Sequence, residues 1–289
     1  KIGEPILIGS PAIVAERLEE LGLDFKPTIV DPKNFDRHAE YVQAYYDMRR
    51  RKGNTLVQVR EKMTRPNILG PMMVHMGDAD CYLSGVTSSY PDVIRPALEI
   101  FHTAPGARLA SGAYLVLAKE RVYVFTDATV NIEPTDEDLA DIAILAHDFA
   151  RRIEINPVVA MLSFSNFGST EHPLSRKVAR AVELVHERRP DITVDGEVQA
   201  DFAVTSELLE SEYPFSQIRD ANVLVFPDLS SANIAYKLLN KLAGAETIGP
   251  ILLGLGAPVH VLQQGDSVDD IVAMTAVAVM DAQQRWHST

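Results

Sequence analysis

Residues 158–194 read VVAMLSFSNFGSTEHPLSRKVARAVELVHERRPDITV. Positions 158–164 form a short run of β-branched and apolar residues, 174–188 carry apolar residues at helical spacing, and 192–194 turn β-rich again. Strand, loop, helix and strand in succession predict an α/β fold with a largely parallel sheet. The same alternation extends upstream. Strands are expected at 5–9 and 28–31, and helices at 11–23 and 35–52, the second closed by Gly53 as a C-cap. A short helix follows from Thr55, a buried-type strand is expected at 68–75, and a helix at 90–102 has Pro91 in its first turn. Downstream, a strand is expected at 223–226 and helices near 203–210, 231–242 and 268–285. In the last helix, Thr275 is the only polar residue of the run 271–280, which predicts burial in a core or a subunit interface.

One segment departs from the alternation. Residues 114–117 and 122–125 are both β-rich and flank the polar Lys119-Glu120-Arg121, which predicts an antiparallel hairpin. From Thr135 a helix follows with Leu139, Ile142, Ala143, Ala146, Phe149 and Ile153 on one face, while Asp136, Glu137 and Asp138 complement its N-terminal dipole. No repeat or Gly/Ser linker divides the chain. Two crossovers within compact structure are therefore expected, giving one subdomain of residues 1–105 with 250–289 and a second of 106–249.

The 289 residues include 27 Lys and Arg against 40 Asp and Glu, a net charge of -13. That sign disfavours a nucleic-acid or anionic-membrane binder, so an anionic ligand must be held by a local basic cluster. The single cysteine, Cys81, forms neither an internal disulfide nor a multi-cysteine zinc site, which fits a reducing compartment and makes cytoplasm the expectation. The most apolar stretch, 248–262, is too short and too interrupted by Gly and Pro to span a bilayer. Because Lys1 runs almost directly into a strand-like segment, the chain is expected to be a piece of a longer polypeptide.

P-loop, GxGxxG, HExxH, CxxC and GxSxG motifs are absent. Asp78 and Asp80 are read as caps or turn formers before metal ligands, and the eight histidines, His287 among them, show no ligand spacing. Arg49-Arg50-Arg51-Lys52 is the densest basic run. It either complements a helix C-terminus or, through guanidinium forks that match phosphate oxygens, forms an anion site. The loop 163–170 follows a strand and precedes a helix, where hydroxyls and backbone amides converge on anions, or where they merely cap. Ser163, Ser165, Asn166 and Ser169 are its candidate ligand-binding residues. The acidic stretch 195–201 also follows a strand, so it and the serine loop are expected to line one cleft.

Taken in order, Pro71-Met72-Met73-Val74-His75-Met76-Gly77-Asp78-Ala79-Asp80, Phe125-Thr126-Asp127-Ala128-Thr129-Val130-Asn131, residues 162–170 and 195–201, and Asn222-Val223-Leu224-Val225-Phe226-Pro227-Asp228-Leu229 resemble signatures of the phosphate acetyltransferase family, which moves acetyl groups between coenzyme A and phosphate. The resemblance extends from about residue 49 to 271. It implies two α/β subdomains around a cleft, the architecture shared with isocitrate and isopropylmalate dehydrogenases, and an opening strand and helix upstream of Lys1. It further implies that Arg49 and Arg95 hold substrate phosphate and coenzyme A, and that Asp270 matches the carboxylate that deprotonates the coenzyme A thiol.

One departure stands out. Where active members carry a Ser-Arg pair, this chain has Gln263 and Gln264. An amide donates hydrogen bonds but brings no positive charge to a tetrahedral oxyanion, and losing one such donor costs about 100- to 1,000-fold in rate. The combination resembles the C-terminal domain of large bacterial NADP-dependent malic enzymes. That resemblance implies a non-catalytic domain that binds acetyl-CoA or CoA as an effector and forms homo-oligomers. NADP and a divalent metal would serve only the malate-decarboxylating catalytic domain of the same polypeptide. The alternatives are an active phosphate acetyltransferase and an acyltransferase of the same fold for another acyl group.

Overall fold

The computed structural model describes residues 2–286; Lys1 and His287 lie outside the described residues. The chain divides into two compact units, Lys1–His102 with Gly256–Thr289, and Thr103–Leu255. The architecture is α/β with mostly parallel strand pairs.

The second unit is built on a six-stranded sheet. Its strands are β4 (Ser111–Ala118), β5 (Arg121–Thr126), β6 (Val159–Leu162), β7 (Val194–Val198), β8 (Val223–Val225) and β9 (Glu246–Leu253), in the order β7-β6-β8-β5-β4-β9. The first four in that order are parallel, and β4 runs antiparallel to both β5 and β9. All four residues of β6 are buried, as parallel strands covered on both faces require. The hairpin expected from the sequence forms, with Ala118 paired to Arg121 across a two-residue turn. Lys119 and Glu120 both take positive φ there, 49° and 64°, the geometry that matches strand twist. Covering the sheet, α6 (Asp136–Arg152) begins in a capping box between Thr135 and Asp138 and buries Leu139, Ile142, Ala143, Ala146 and Phe149. Beside it lies α7 (Pro173–Arg188). Lys177 of α7 donates from Nζ to the carbonyls of Pro134 and Pro227, tying down the loops that follow β5 and β8. On α10 (Leu229–Ala243), Tyr236 stacks on Tyr114 of β4 with ring centroids 4.0 Å apart.

The first unit holds two short parallel pairs, β1 (Ile6–Ile8) with β2 (Thr28–Val30), and β3 (Tyr82–Ser84) with β10 (Val259–Val261). Its helices are α1 (Pro11–Glu20), α2 (His38–Arg49), α3 (Leu56–Met63), α4 (Pro66–His75), α5 (Tyr90–Phe101) and α11 (Val268–Trp286). A core of Tyr41, Tyr45, Val59, Met63, Leu69 and Met72 joins α2, α3 and α4. Thr55 and Gln58 form the capping box that starts α3.

Several segments differ from their expected form. Residues 68–75, expected as a strand, lie within α4. Every residue from Ile68 to Met73 is buried, so the run alternates with neither period and its apolarity suits both structures. The deciding features are Pro66 at the helix start and Gly77 at φ 78° just beyond its end. The strand expected at 192–194 starts instead at Val194 and runs to Val198, and the helix near 203–210 is two pieces, α8 (Ala200–Ala203) and α9 (Ser206–Glu212). β3 and β9 carried no strand expectation. The helix α11 is less buried than its composition suggests: Val272 and Met280 are exposed, while Met274, Val277 and Ala278 are covered.

Two close approaches fix β3. A Cβ on Gly70 of α4 would lie 2.0 Å from the Tyr82 ring, and one on Gly85, at φ 142°, would lie 2.0 Å from the Leu262 carbonyl oxygen. Leu262 in turn donates its N–H to Ser84 O at 2.8 Å, so the exit of β3 and the exit of β10 are locked together. Replacing Gly85 with Ala adds both backbone strain and overlap with main-chain atoms, for an expected loss of about 1–3 kcal/mol. Urea denaturation checks this through a lowered midpoint at unchanged slope.

Candidate functional site

The basic run does not act as one block. Helix α2 ends at Arg49, a 3-10 turn of Arg50–Lys52 follows, and Gly53 closes it at φ 81°. The turn sends Arg50 and Arg51 to solvent and directs Arg49 and Lys52 toward α5. There they line a cavity of about 420 Å³ together with Arg95, Leu98, Glu99 and His102. Arg95, Leu98 and Glu99 share one face of α5 by their i, i+3, i+4 spacing, and His102 follows as its C-cap at φ 53°. Arg49 and Arg95, singled out in the sequence, thus come together in one cavity.

Within that cavity Arg49 is largely buried, with 16% of its side chain exposed, and its Nη2 lies 3.3 Å from Glu99 Oε2. The Tyr45 hydroxyl also donates to Glu99 Oε2, at 3.3 Å. Burial, and next the Glu99 charge, push the Tyr45 hydroxyl up to about 12, so it remains a donor at neutral pH. Arg49 Nε–H is buried with no acceptor among the described residues. A buried unpaired donor costs about 1–3 kcal/mol, and here it sits on a group suited to phosphate oxygens. One carboxylate faces two guanidinium groups and an ammonium. The local balance is positive although the chain as a whole carries -13.

In the second unit, the loop between β6 and α7 already holds an anion of its own. Glu197 of β7, only 3% exposed, accepts from Ser165 Oγ at 2.9 Å and from Gly168 N at 2.8 Å through Oε1. Its backbone carbonyl accepts from Phe167 N at 2.8 Å. Phe167 and Gly168 both take positive φ, 47° and 85°, which turns their amides toward Glu197. Ser165 and Asn166 are buried, at 0% and 6%, and Asn166 Oδ1 accepts from Gln199 N at 2.7 Å. Ser163 is half-buried, and of the four candidates Ser169 alone is exposed, its Oγ accepting from Asn166 N at 3.0 Å. Asp195, the other acidic candidate near this loop, turns to Ser216 Oγ and Gln217 N.

Between β10 and α11, the first unit presents Gln263 half-buried and Gln264 exposed, followed by Gly265 at φ 89°. Asp266 Oδ2 accepts from Gln263 N at 2.8 Å; burial raises the Asp266 carboxyl, that hydrogen bond opposes the rise, and the nearby Asp270 charge adds to it. Asp270 completes a capping box at the start of α11. Its Oδ2 accepts from Ser267 N at 2.8 Å and Ser267 Oγ at 2.7 Å. The residues lining the arginine cavity do not include Gln263, Gln264 or Asp270.

Asp78, considered as a metal ligand, is instead held by Arg37 Nη1 and by the Tyr41 hydroxyl. Among the described residues no group of three or more His, Cys, Asp or Glu is placed to hold a metal ion. No described helix is long and apolar enough to cross a membrane.

One participant escaped the sequence reading: Glu99 was detectable as the residue four positions after Arg95 on a helix. Glu197 belongs to the acidic stretch expected beside the serine loop, but its inward turn had no local signal, because its partners lie about thirty residues away.

A family model described as phosphate acetyl/butaryl transferase matches residues 1–279. A phosphate acetyltransferase of Nitratidesulfovibrio vulgaris is 40% identical over 285 residues, covering 98% of this chain and 40% of that protein. An NADP-dependent malic enzyme of Escherichia coli is 37% identical over 290 residues, covering 98% of this chain and 38% of its own length. The chain therefore spans about two fifths of these two longer relatives. The crystal structure of a phosphotransacetylase from Streptococcus pyogenes superposes with a TM-score of 0.92 at 38% identity, covering 97% of this chain and 86% of that one. Matched along nearly its whole length in both sequence and fold, the chain belongs to the phosphate acetyltransferase family.

Proposed function

We propose that this chain is an acetyl-CoA-binding regulatory and oligomerising domain of a malic enzyme, retaining the ligand site of its family while lacking transferase turnover. The observation that carries the reading is the pair of neutral amides, Gln263 and Gln264, at the turn before α11. Binding draws on different residues from catalysis. Arg49, with its unpaired Nε–H, Lys52 and Arg95 supply the charge to hold the phosphates of coenzyme A. Acyl transfer to phosphate also needs a donor array around the tetrahedral oxyanion and a free base for the thiol. The two amides bring no positive charge to the first task, and the Asp270 carboxylate is engaged with Ser267.

The malic enzyme relative supports a regulatory placement, because this chain aligns with a two-fifths portion of a protein named for a different activity. In this reading NADP and a divalent metal belong to the dehydrogenase half, in the cytoplasm, and the present domain senses the acetyl-CoA level. By linkage, an inhibiting effector binds the less active state more tightly, with coupling of about 1–3 kcal/mol typical of such systems.

A second reading, an active phosphate acetyltransferase, is favoured by the phosphotransacetylase relatives and by the retained Arg49, Arg95 and Asp270. The two readings separate in one assay: incubation with acetyl-CoA and phosphate, following coenzyme A thiol and subtracting the signal of Cys81. No turnover with acetyl-CoA binding intact is expected, and multiple turnovers would replace the regulatory reading with the second. In calorimetry, Arg49→Ala and Arg95→Ala are each expected to weaken acetyl-CoA binding by tenfold or more; unchanged affinity would remove the cavity from the site. Glu99→Gln, which lifts the one neutralising charge from Arg49, is expected to tighten binding by about two- to fivefold, the scale of a partly exposed ion pair.

A further inference from the structure

His102 closes α5 in a conformation that most side chains avoid. Its φ is 53° and its ψ -163°, close to the region that essentially only glycine occupies, and a residue persists there only where its surroundings over-determine it. Two hydrogen bonds do so here. His102 N–H donates to Leu98 O at 3.1 Å, and the His102 carbonyl accepts from Gly256 N at 3.2 Å. A Cβ on Gly256 would lie 2.7 Å from the Phe101 carbonyl oxygen, so the returning chain passes this turn at close range. A glycine at 102 would keep the same contacts without strain. What histidine adds is an exposed imidazole, and that imidazole lines the cavity of Arg49, Lys52 and Arg95.

The cavity carries an electrostatic handicap for an anion. Arg49 lies in the last turn of α2, and Leu98, Glu99 and His102 lie at the end of α5, so two helix C-termini contribute to its lining. The partial negative charge at a helix C-terminus disfavours an anion and favours a cation. Glu99 adds a full negative charge. The charged groups lining the cavity with His102 are Arg49 of α2, Lys52 of the 3-10 turn, and Arg95 and Glu99 of α5. Of these side-chain types, imidazole is the one whose charge changes between pH 5 and 8. We infer that His102 is a further anion-binding residue of this cavity, and that it couples the binding of a ligand phosphate to the uptake of a proton. With the imidazole neutral, three cations accompany one carboxylate; with it charged, four do. A phosphate held beside His102 favours the charged ring, because an opposite charge within ~4–6 Å stabilises the ionised form. By linkage, the proton strengthens phosphate binding by the same factor. Affinity therefore rises as pH falls through the imidazole range, and the site responds to acidity as well as to ligand. The identity of the ligand as acetyl-CoA rests on the functional reading above, whereas the phosphate chemistry rests on the cavity.

The test is calorimetric titration of acetyl-CoA at pH 8 and pH 6 into the unsubstituted chain, His102→Gly and His102→Lys. Glycine follows the observed backbone course without strain, which secures folding of the first variant. Ionisation of the ligand's own phosphates affects all three proteins alike, so the quantity read is the ratio of affinities at each pH. The ratio of the unsubstituted chain to His102→Gly is expected to grow about three- to fivefold from pH 8 to pH 6, the upper end for a partly exposed ion pair. The ratio of His102→Lys to His102→Gly is expected to stay constant, because an ammonium keeps its charge across that range. An unsubstituted-to-glycine ratio that is the same at both pH values would overturn the inference and leave His102 as a helix cap alone. Arg49→Ala separates this outcome from failure of the functional reading. If Arg49→Ala weakens acetyl-CoA binding while the ratio ignores pH, only the role of His102 falls. If Arg49→Ala leaves acetyl-CoA affinity unchanged, or acetyl-CoA does not bind, the functional reading loses its site. Inorganic phosphate then becomes the probe, with the same ratios expected and the same result overturning the inference.

Discussion

Burial of β6 on both faces governs the second unit. Val159, Ala160, Met161 and Leu162 leave no edge of the strand wet, so neighbouring strands must bond it on both sides and helices must cover both faces. Such a strand has no room for chemistry along its length. Polar function is displaced to the residues just past its end, where the chain leaves the sheet, and Ser163 to Ser169 occupy that position. The same logic places Gln263 and Gln264 directly after β10, and the contact between Gly85 and Leu262 holds that exit in place from the β3 side.

The part of the fold legible in the sequence was the part with a single consistent period. The α6 helix announces itself through Thr135, its acidic first turn and an apolar face every third or fourth residue, and the structure reproduces these features as far as Phe149, with Ile153 falling on the C-cap. Residues 68–73 defeat the same method because total burial erases periodicity, leaving only Pro66 and Gly77 to decide. β7 was placed too early because Ile192 is apolar and β-branched, whereas the strand itself runs through Asp195, Gly196 and Glu197, residues that disfavour strands in isolation. Tertiary pairing with β6 overrode that preference.

The candidate site divides along similar lines. Arg49 was readable within the densest basic run and Arg95 through the family resemblance, and the two meet in a cavity, but the reason Arg50 and Arg51 do not join them is a 3-10 turn ended by a left-handed glycine. Charge alone could not have separated four consecutive basic residues. The serine loop was readable as a place where donors either converge on an anion or merely cap, and the sequence left those two open. That distinction depends on a carboxylate brought from a different strand, and only the three-dimensional register of β7 against β6 supplies it.

Glu197 gives the loop a built-in occupant. A carboxylate fixed to the neighbouring strand stands beside Ser165 and Gly168 at an effective concentration that no dissolved anion approaches, and it does so without a bimolecular encounter. The loop is therefore shaped before any ligand arrives, and a visiting molecule need not supply the free energy of ordering it. It also meets an address that is already taken, and of the four candidate residues only Ser169, at the outer rim, stays exposed to solvent.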